Sequence, residues 1–238
     1  MRSQARHRRE VAEFVNILSR LGPVAAIGGM LRDLYLSGNR GFISDVDFVI
    51  HPDSLRSFDS LMARIGAKRT RFGGRRLCLG HWKADVWPLQ RTWAHLKGHV
   101  EIKTFDDLTN ATFFDWDAIV YVIHENRLIA SPSYYNRIDN RILDVNLHPN
   151  PNPLGNAVRA LRYAWRWQAT LGPRLANHVL IQAHDCGWDA LTAAEETAFS
   201  RRVLNRLDPD KILIWLKQQE RIGSEDAVRL PFEEFPFK

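Results

Sequence analysis

Apolar residues recur at spacings of three and four through Val11, Phe14, Val15, Leu18 and Leu21. This predicts an amphipathic helix over Ala5–Leu21, stopped by Gly22-Pro23. The unbroken apolar run Val24–Ile27 predicts a buried strand, closed by Gly28-Gly29, and Met30–Leu36 predicts a helix directly after it. A polar loop from Ser37 to Ser44 leads into a second apolar run, ending at Ile50, that contains Asp45 and Asp47. Leu55, Phe58, Leu61, Met62 and Ile65 give a second amphipathic helix over Ser54–Ile65, with Ser54 as its N-cap. Three extended runs follow, Lys68–Phe72, Arg75–Gly80 and Lys83–Trp87, with turns at Gly73-Gly74 and Gly80-His81.

Arg91–Glu101 shows no period, and its Trp93, His95 and His99 read as a loop rather than a metal site. Phe105–Asn110 predicts a short helix. Trp116–Ile123 predicts a strand with Ala118, Val120 and Val122 in alternation, then a turn at His124–Asn126 and a strand over Arg127–Ala130. A helical turn in Ser133–Arg141 precedes an extended Ile142–Val145. The prolines of Pro149–Pro153 can continue neither a helix nor a ladder, so they mark the expected boundary between domains 1–150 and 151–238. Beyond it only helices are expected. The first carries a core stripe of Leu154, Val158, Leu161 and Trp165; the others cover about Leu175–Cys186, Thr192–Leu207 and Pro209–Gln219. The tail Pro231–Lys238 reads as irregular, packing through its phenylalanines. The order of elements predicts the α/β (α+β) class: a mixed sheet flanked by helices, then a small all-helical C-terminal domain.

Composition narrows the class. With 238 residues, 45% hydrophobic and 25% charged, the chain suits one core plus a helical appendage. No apolar run approaches the ~20 residues of a membrane span. The basic start MRSQARHRR has no apolar stretch behind it, so a cytoplasmic protein without a membrane partner is expected. Cys78 and Cys186 imply no disulfide framework. Of the net charge of +6, +5 lies in the first 150 residues, including Arg2, Arg6, Arg8 and Arg9. Such a tip can meet nucleic-acid phosphates, and it can equally be a solvated helix start.

Chemistry concentrates in Val24–Ile50. A strand, a glycine pair and a helix in succession turn backbone N–H groups and a helix N-terminus toward one point, as phosphate binding requires. Asp45 and Asp47, two apart in an extended segment, project to one face roughly 6–7 Å apart, able to share divalent cations. Gly28-Gly29-x-x-Arg32-Asp33 followed by Asp45-x-Asp47 resembles the signature of the poly(A) polymerase and tRNA CCA-adding branch of the DNA polymerase beta-like nucleotidyltransferases. The likeness covers about Val24–Trp167: a catalytic head and part of a neck.

The resemblance implies transfer of a nucleoside monophosphate from an NTP to a hydroxyl, with release of pyrophosphate. Asp45 and Asp47 would hold two Mg²⁺ ions (or Mn²⁺), with Asp85 in KADVWPL as the third ligand. The Gly28-Gly29 backbone would bind phosphates, Arg32 would neutralise the triphosphate, and Asp33 would anchor Arg32 or the helix start. RALRYAWR resembles the neck helix, whose Arg159, Arg162 and Arg166 would face nucleotide or acceptor. The chain departs from the family where an Arg-Arg-Asp is expected: Thr112–Asp117 reads TFFDWD, with Asp115 or Asp117 as the nearest substitutes. It also lacks a Glu-Asp-x-x-Arg base-reading motif in its last helices. An RNA 3′ end, of tRNA or a related molecule, is the expected acceptor, met through Arg2, Arg6, Arg8, Arg9 and Arg166. A small-molecule or protein acceptor, and a nucleotide-binding module without activity, are the alternatives. Oligomeric state is left open.

Overall fold

The computed structural model describes residues 2–41, 45–80, 82–222 and 228–229. Two compact units share the chain: Met1–Thr112 with Trp116–Pro132, and Phe113–Asp115 with Ser133–Lys238.

In the first unit the elements run α1 (Arg2–Leu18), β1 (Val24–Ile27), α2 (Gly29–Gly41), β2 (Val46–Ile50), α3 (Leu55–Arg64), β3 (Lys68–Arg69), β4 (Arg75–Leu79) and β5 (Trp82–Pro88). After them come α4 (Trp93–Leu96), β6 (Ile119–Val122) and β7 (Arg127–Ala130). The strands form one mixed sheet in the order β3-β4-β5-β2-β1-β6-β7, antiparallel throughout except for β2 beside β5. Alternate residues of each strand face opposite sides of the sheet. Ala26, Val46, Phe48, Ile50, Ala84 and Val86 meet Phe14 and Leu18 of α1 and Phe58, Leu61 and Met62 of α3. Burying a side chain such as Phe58 or Met62 stabilises the unit by roughly 1.5–3 kcal/mol. Ala25, Val49, Val120 and Val122 face the other side, covered by Leu89, Ile102, Phe105 and Leu108.

Local signals placed most of these elements. Ser54 caps α3, its hydroxyl accepting the Ser57 N–H at 3.3 Å. Gly22 holds a φ of +142°, and a Cβ there would lie 2.2 Å from the His51 carbonyl oxygen, so only glycine lets the chain leave α1 this close to the end of β2. The loop expected from Ser37 is helical up to Gly41, broken at Gly38 (φ 60°, ψ −168°); residues 42–44 lie outside the described residues. The strand expected over Trp116–Ile123 is shorter, because Asp115–Asp117 forms a single tight helical turn ahead of Ile119.

The second unit holds α5 (Tyr134–Asp139), β8 (Ile142–Leu143), α6 (Pro153–Trp167), β9 (Thr170–Leu171), α7 (Pro173–Cys186), α8 (Trp188–Ala198), α9 (Pro209–Ile222) and β10 (Val228–Arg229). The division by contact falls at Pro132–Ser133, ahead of the proline cluster expected to mark it, because β8 pairs with β9 on the far side of those prolines. The region after Pro153 is not purely helical, since β9 and β10 join β8 in a small three-stranded sheet. The helix expected over Thr192–Leu207 stops at Ala198. The Glu195 carboxylate, fully buried, turns back to accept the N–H groups of Val203 (2.9 and 3.0 Å) and Leu204 (2.9 Å), which fixes a non-helical return. The packing expected of Pro231–Lys238 lies outside the described residues.

Candidate active site

β1 ends in Gly28, whose φ of +77° turns the chain from strand into α2. The Gly28 carbonyl accepts the N–H groups of Leu31 (3.0 Å) and Arg32 (3.2 Å), and its own N–H donates to the Ile119 carbonyl at 3.0 Å. Gly28 is thus committed to holding the turn and does not offer its N–H to a phosphate. The N–H groups of Gly29 and Met30 open α2, at the positive end of the helix dipole and ahead of its first internal bonds. No acidic side chain occupies that first turn.

Arg32 and Asp33 lie beneath this turn. The Arg32 side chain is 3% exposed. It donates from Nε (3.1 Å) and Nη2 (2.8 Å) to Asp33 Oδ1, and from Nη1 to Asp117 Oδ1. A guanidinium so enclosed between two carboxylates clamps the glycine turn to the segment before β6. Asp33 anchors Arg32, as the sequence suggested, but the direct triphosphate contact expected of Arg32 does not fit its burial. Asp117, considered from the sequence only as a substitute for the missing Arg-Arg-Asp, lies 85 residues from Arg32, so nothing local announced this pairing.

A charged row crosses three neighbouring strands, with acidic residues on two of them. Asp47 stands opposite Ile27 on β1 and opposite Asp85 on β5, and Asp85 stands opposite Arg76 on β4. Directly opposed residues share a face of the sheet, so Asp47, Asp85 and Arg76 form one line, beside the strand end that carries Gly28. Asp45 precedes β2 and is exposed, Asp47 is half-buried, and Asp85 is buried. Although Asp45 reaches solvent, the surrounding protein raises its carboxyl pKa; Lys83 and Arg76 oppose that shift and Asp85 adds to it.

Arg76 was not singled out from the sequence, yet it dominates the row. Its Nε donates to Asp85 Oδ1 at 2.7 Å and its Nη2 to Asp85 Oδ2 at 2.5 Å. The bond to Asp85 raises the Arg76 pKa well above its ordinary value, with the fields of Asp45 and Asp47 adding to it. Asp45 and Asp47 supply the hard oxygen donors that Mg²⁺ prefers. Both oxygens of Asp85 are engaged by Arg76, and among the described residues no three acidic, histidine or cysteine side chains form a metal-holding set. The donors present fit a divalent ion on Asp45 and Asp47; the three-carboxylate site is not assembled.

The remaining expected residues lie in the second unit or near the N-terminus. Arg159 donates to the Tyr163 hydroxyl (3.2 and 2.9 Å) and lies over the Phe114 and Tyr163 rings. Arg162 is held inside its own unit by Glu195, by the Arg201 carbonyl at 2.7 Å and by the Phe199 ring at 4.0 Å, so its fork is not available as the nucleotide contact expected of it. Arg166 stacks on Trp167 at 4.4 Å. Arg9 donates to Glu13 at 2.8 Å in an exposed pair, and the side chains of Arg2, Arg6 and Arg8 lie outside the described residues. Asp115, the other substitute considered for the missing Arg-Arg-Asp, accepts from Arg137 Nε (2.5 Å) and the Asp144 N–H (3.0 Å). Burial nonetheless pushes its carboxyl up to about 6.

Taken together, the mixed sheet, its flanking helices and the turn from β1 into α2 define an α/β head similar to that of CCA-adding enzymes. A CCA-adding enzyme in complex with CTP is 21% identical, with a TM-score of 0.54, over 89% of this chain and 52% of its own. A tRNA nucleotidyltransferase complexed with a primer tRNA and an incoming ATP analog is 18% identical, with a TM-score of 0.51, over 91% and 61%. The Thermotoga maritima CCA-adding enzyme complexed with tRNA is 15% identical, with a TM-score of 0.52, over 89% and 51%. At these identities the likeness is one of fold, and the chain spans between half and about three-fifths of these proteins' lengths. No protein-family model matches the chain, and no curated protein matches it. Among the described residues no helix is long and apolar enough to cross a membrane.

Proposed function

We propose that this chain is a nucleotidyltransferase that moves a nucleoside monophosphate from an NTP to the 3′ hydroxyl of an RNA of tRNA type. The observation carrying the reading is the row of Asp47 and Asp85, with Asp45 beside it, at the strand end next to the Gly28 turn, on a head shared with enzymes solved with CTP, ATP and tRNA. The acceptor hydroxyl attacks the α-phosphorus and loses its proton to solvent water. A new P–O bond forms, the bond between the α-phosphorus and the bridging oxygen breaks, and pyrophosphate leaves with that electron pair. The Gly29 and Met30 N–H groups bind phosphate oxygens, and Arg32 acts as a positioning residue that holds the turn presenting them. Asp45 and Asp47 would hold a divalent cation, Mg²⁺ or Mn²⁺, which when bound neutralises triphosphate charge and acidifies the attacking hydroxyl. No covalent enzyme intermediate is needed, since positioning and charge neutralisation carry the catalysis. Arg9, with Arg2, Arg6, Arg8 and Arg166, is proposed to meet acceptor phosphates.

The test mixes purified protein, Mg²⁺ and each labelled NTP in turn with total RNA. Label should enter RNA 3′ ends, and Asp47→Asn should lower incorporation by at least ~10²-fold, the scale on which a key electrostatic group acts. Label on protein or a small molecule instead would overturn the RNA acceptor. Equal activity of Asp45→Asn, Asp47→Asn and the parent would overturn the site.

A further inference from the structure

We propose that Arg76 is a built-in cation at the acidic row, which a divalent ion must displace from Asp85 before that carboxylate can become a ligand. The inference rests on the metal reading of Asp45 and Asp47, and it concerns a residue on the neighbouring strand. Three facts support it. The register puts Arg76 directly opposite Asp85, and Asp85 directly opposite Asp47, so the guanidinium is delivered to the row by the ladder itself. The contact is two-pronged and takes both Asp85 oxygens, which leaves neither as an undisputed metal donor. The Arg76 side chain is 50% exposed whereas Asp85 is 8% exposed, so a solvent-borne cation covers a buried carboxylate and has room to swing away.

Arginine keeps its charge at any pH the protein survives, so proton loss cannot release this contact. A competing cation can. A divalent ion arriving on Asp45 and Asp47 would repel the guanidinium and compete for the same oxygens. Divalent binding then carries the cost of breaking a two-pronged, charge-assisted pair, and the row sets a higher metal threshold than three unopposed carboxylates would. A conservative Arg76→Lys change would not preserve this behaviour, because an ammonium cannot hold both oxygens in a fork.

The experiment titrates Mn²⁺ alone into the full chain without nucleotide, followed by electron paramagnetic resonance and calorimetry. Arg76→Gln should bind Mn²⁺ about 10–100-fold more tightly than the parent, the range expected when one charge-assisted contact no longer has to be broken. Arg76→Lys should fall between them. Adding Asp85→Asn to Arg76→Gln should remove most of the gain. Equal or weaker binding by Arg76→Gln, or a gain that survives Asp85→Asn, would overturn the proposal, the latter by showing that Arg76 acts only through its field. Asp47→Asn separates the two readings. If it leaves Mn²⁺ binding of Arg76→Gln untouched, the metal site and this inference with it are wrong. If it abolishes binding while Arg76→Gln equals the parent, the displacement idea alone fails.

Discussion

Replacing Arg32 with Met tests the clamp beneath the glycine turn. Methionine fills a similar volume but removes the cation that lies between Asp33, which is fully buried, and Asp117, which is 10% exposed. Deleting one partner of a buried, hydrogen-bonded ion pair costs about 3–5 kcal/mol, because the survivor is left charged in a poorly solvated place. Here two carboxylates survive together, so the upper half of that range is expected at pH 7. For a chain of this size each kcal/mol moves the midpoint by about 2–4 °C, giving a fall of roughly 8–20 °C. The double variant gives a second signature, because adding Asp33→Asn removes one of the two stranded charges. Thermal and urea unfolding of parent, Arg32→Met and the double variant at pH 7 measures both effects, and the double variant should recover part of the loss. A cost below about 1 kcal/mol, with no recovery on adding Asp33→Asn, would refute the clamp and reopen Arg32 as a group that meets the substrate.

Two further outcomes are expected in the second unit. Asp115, with its carboxyl pushed up to about 6 by burial, binds a proton more tightly folded than unfolded. Its contribution therefore weakens stability as pH rises from about 4 to 6, by up to about 3 kcal/mol, and Asp115→Asn should lack that slope in urea titrations at pH 4.5 and 7. Glu195→Ala strands Arg162 and the Val203 and Leu204 N–H groups. It should cost about 3–5 kcal/mol and speed hydrogen exchange at those two amides, whereas unchanged protection would remove Glu195 from its role as the hinge of the return.

Whatever depends on neighbours along the chain was legible in the residues. Apolar spacing placed the α1, α3 and α6 segments, Ser54 announced its cap, and Gly28-Gly29 announced the turn from β1 into α2. The alternation of an extended run put Asp47 on the sheet face it shares with Asp85, although Asp45 stands just ahead of β2. The 91–101 stretch, expected to be a loop, hid the helix α4, because a single turn of four residues is too short to repeat a pattern. Tertiary structure alone decided which charges meet. Arg32 finds Asp117 across 85 residues, Arg162 finds Glu195 across 33, and Arg76 reaches Asp85 only because β4 and β5 pair in one register. A one-residue slip of that ladder would send Arg76 to the other face and free the carboxylate. An isolated arginine or aspartate in the sequence carries no record of its partner, because ion pairs are chosen by strand register and by the burial that makes an unpaired charge too costly to keep.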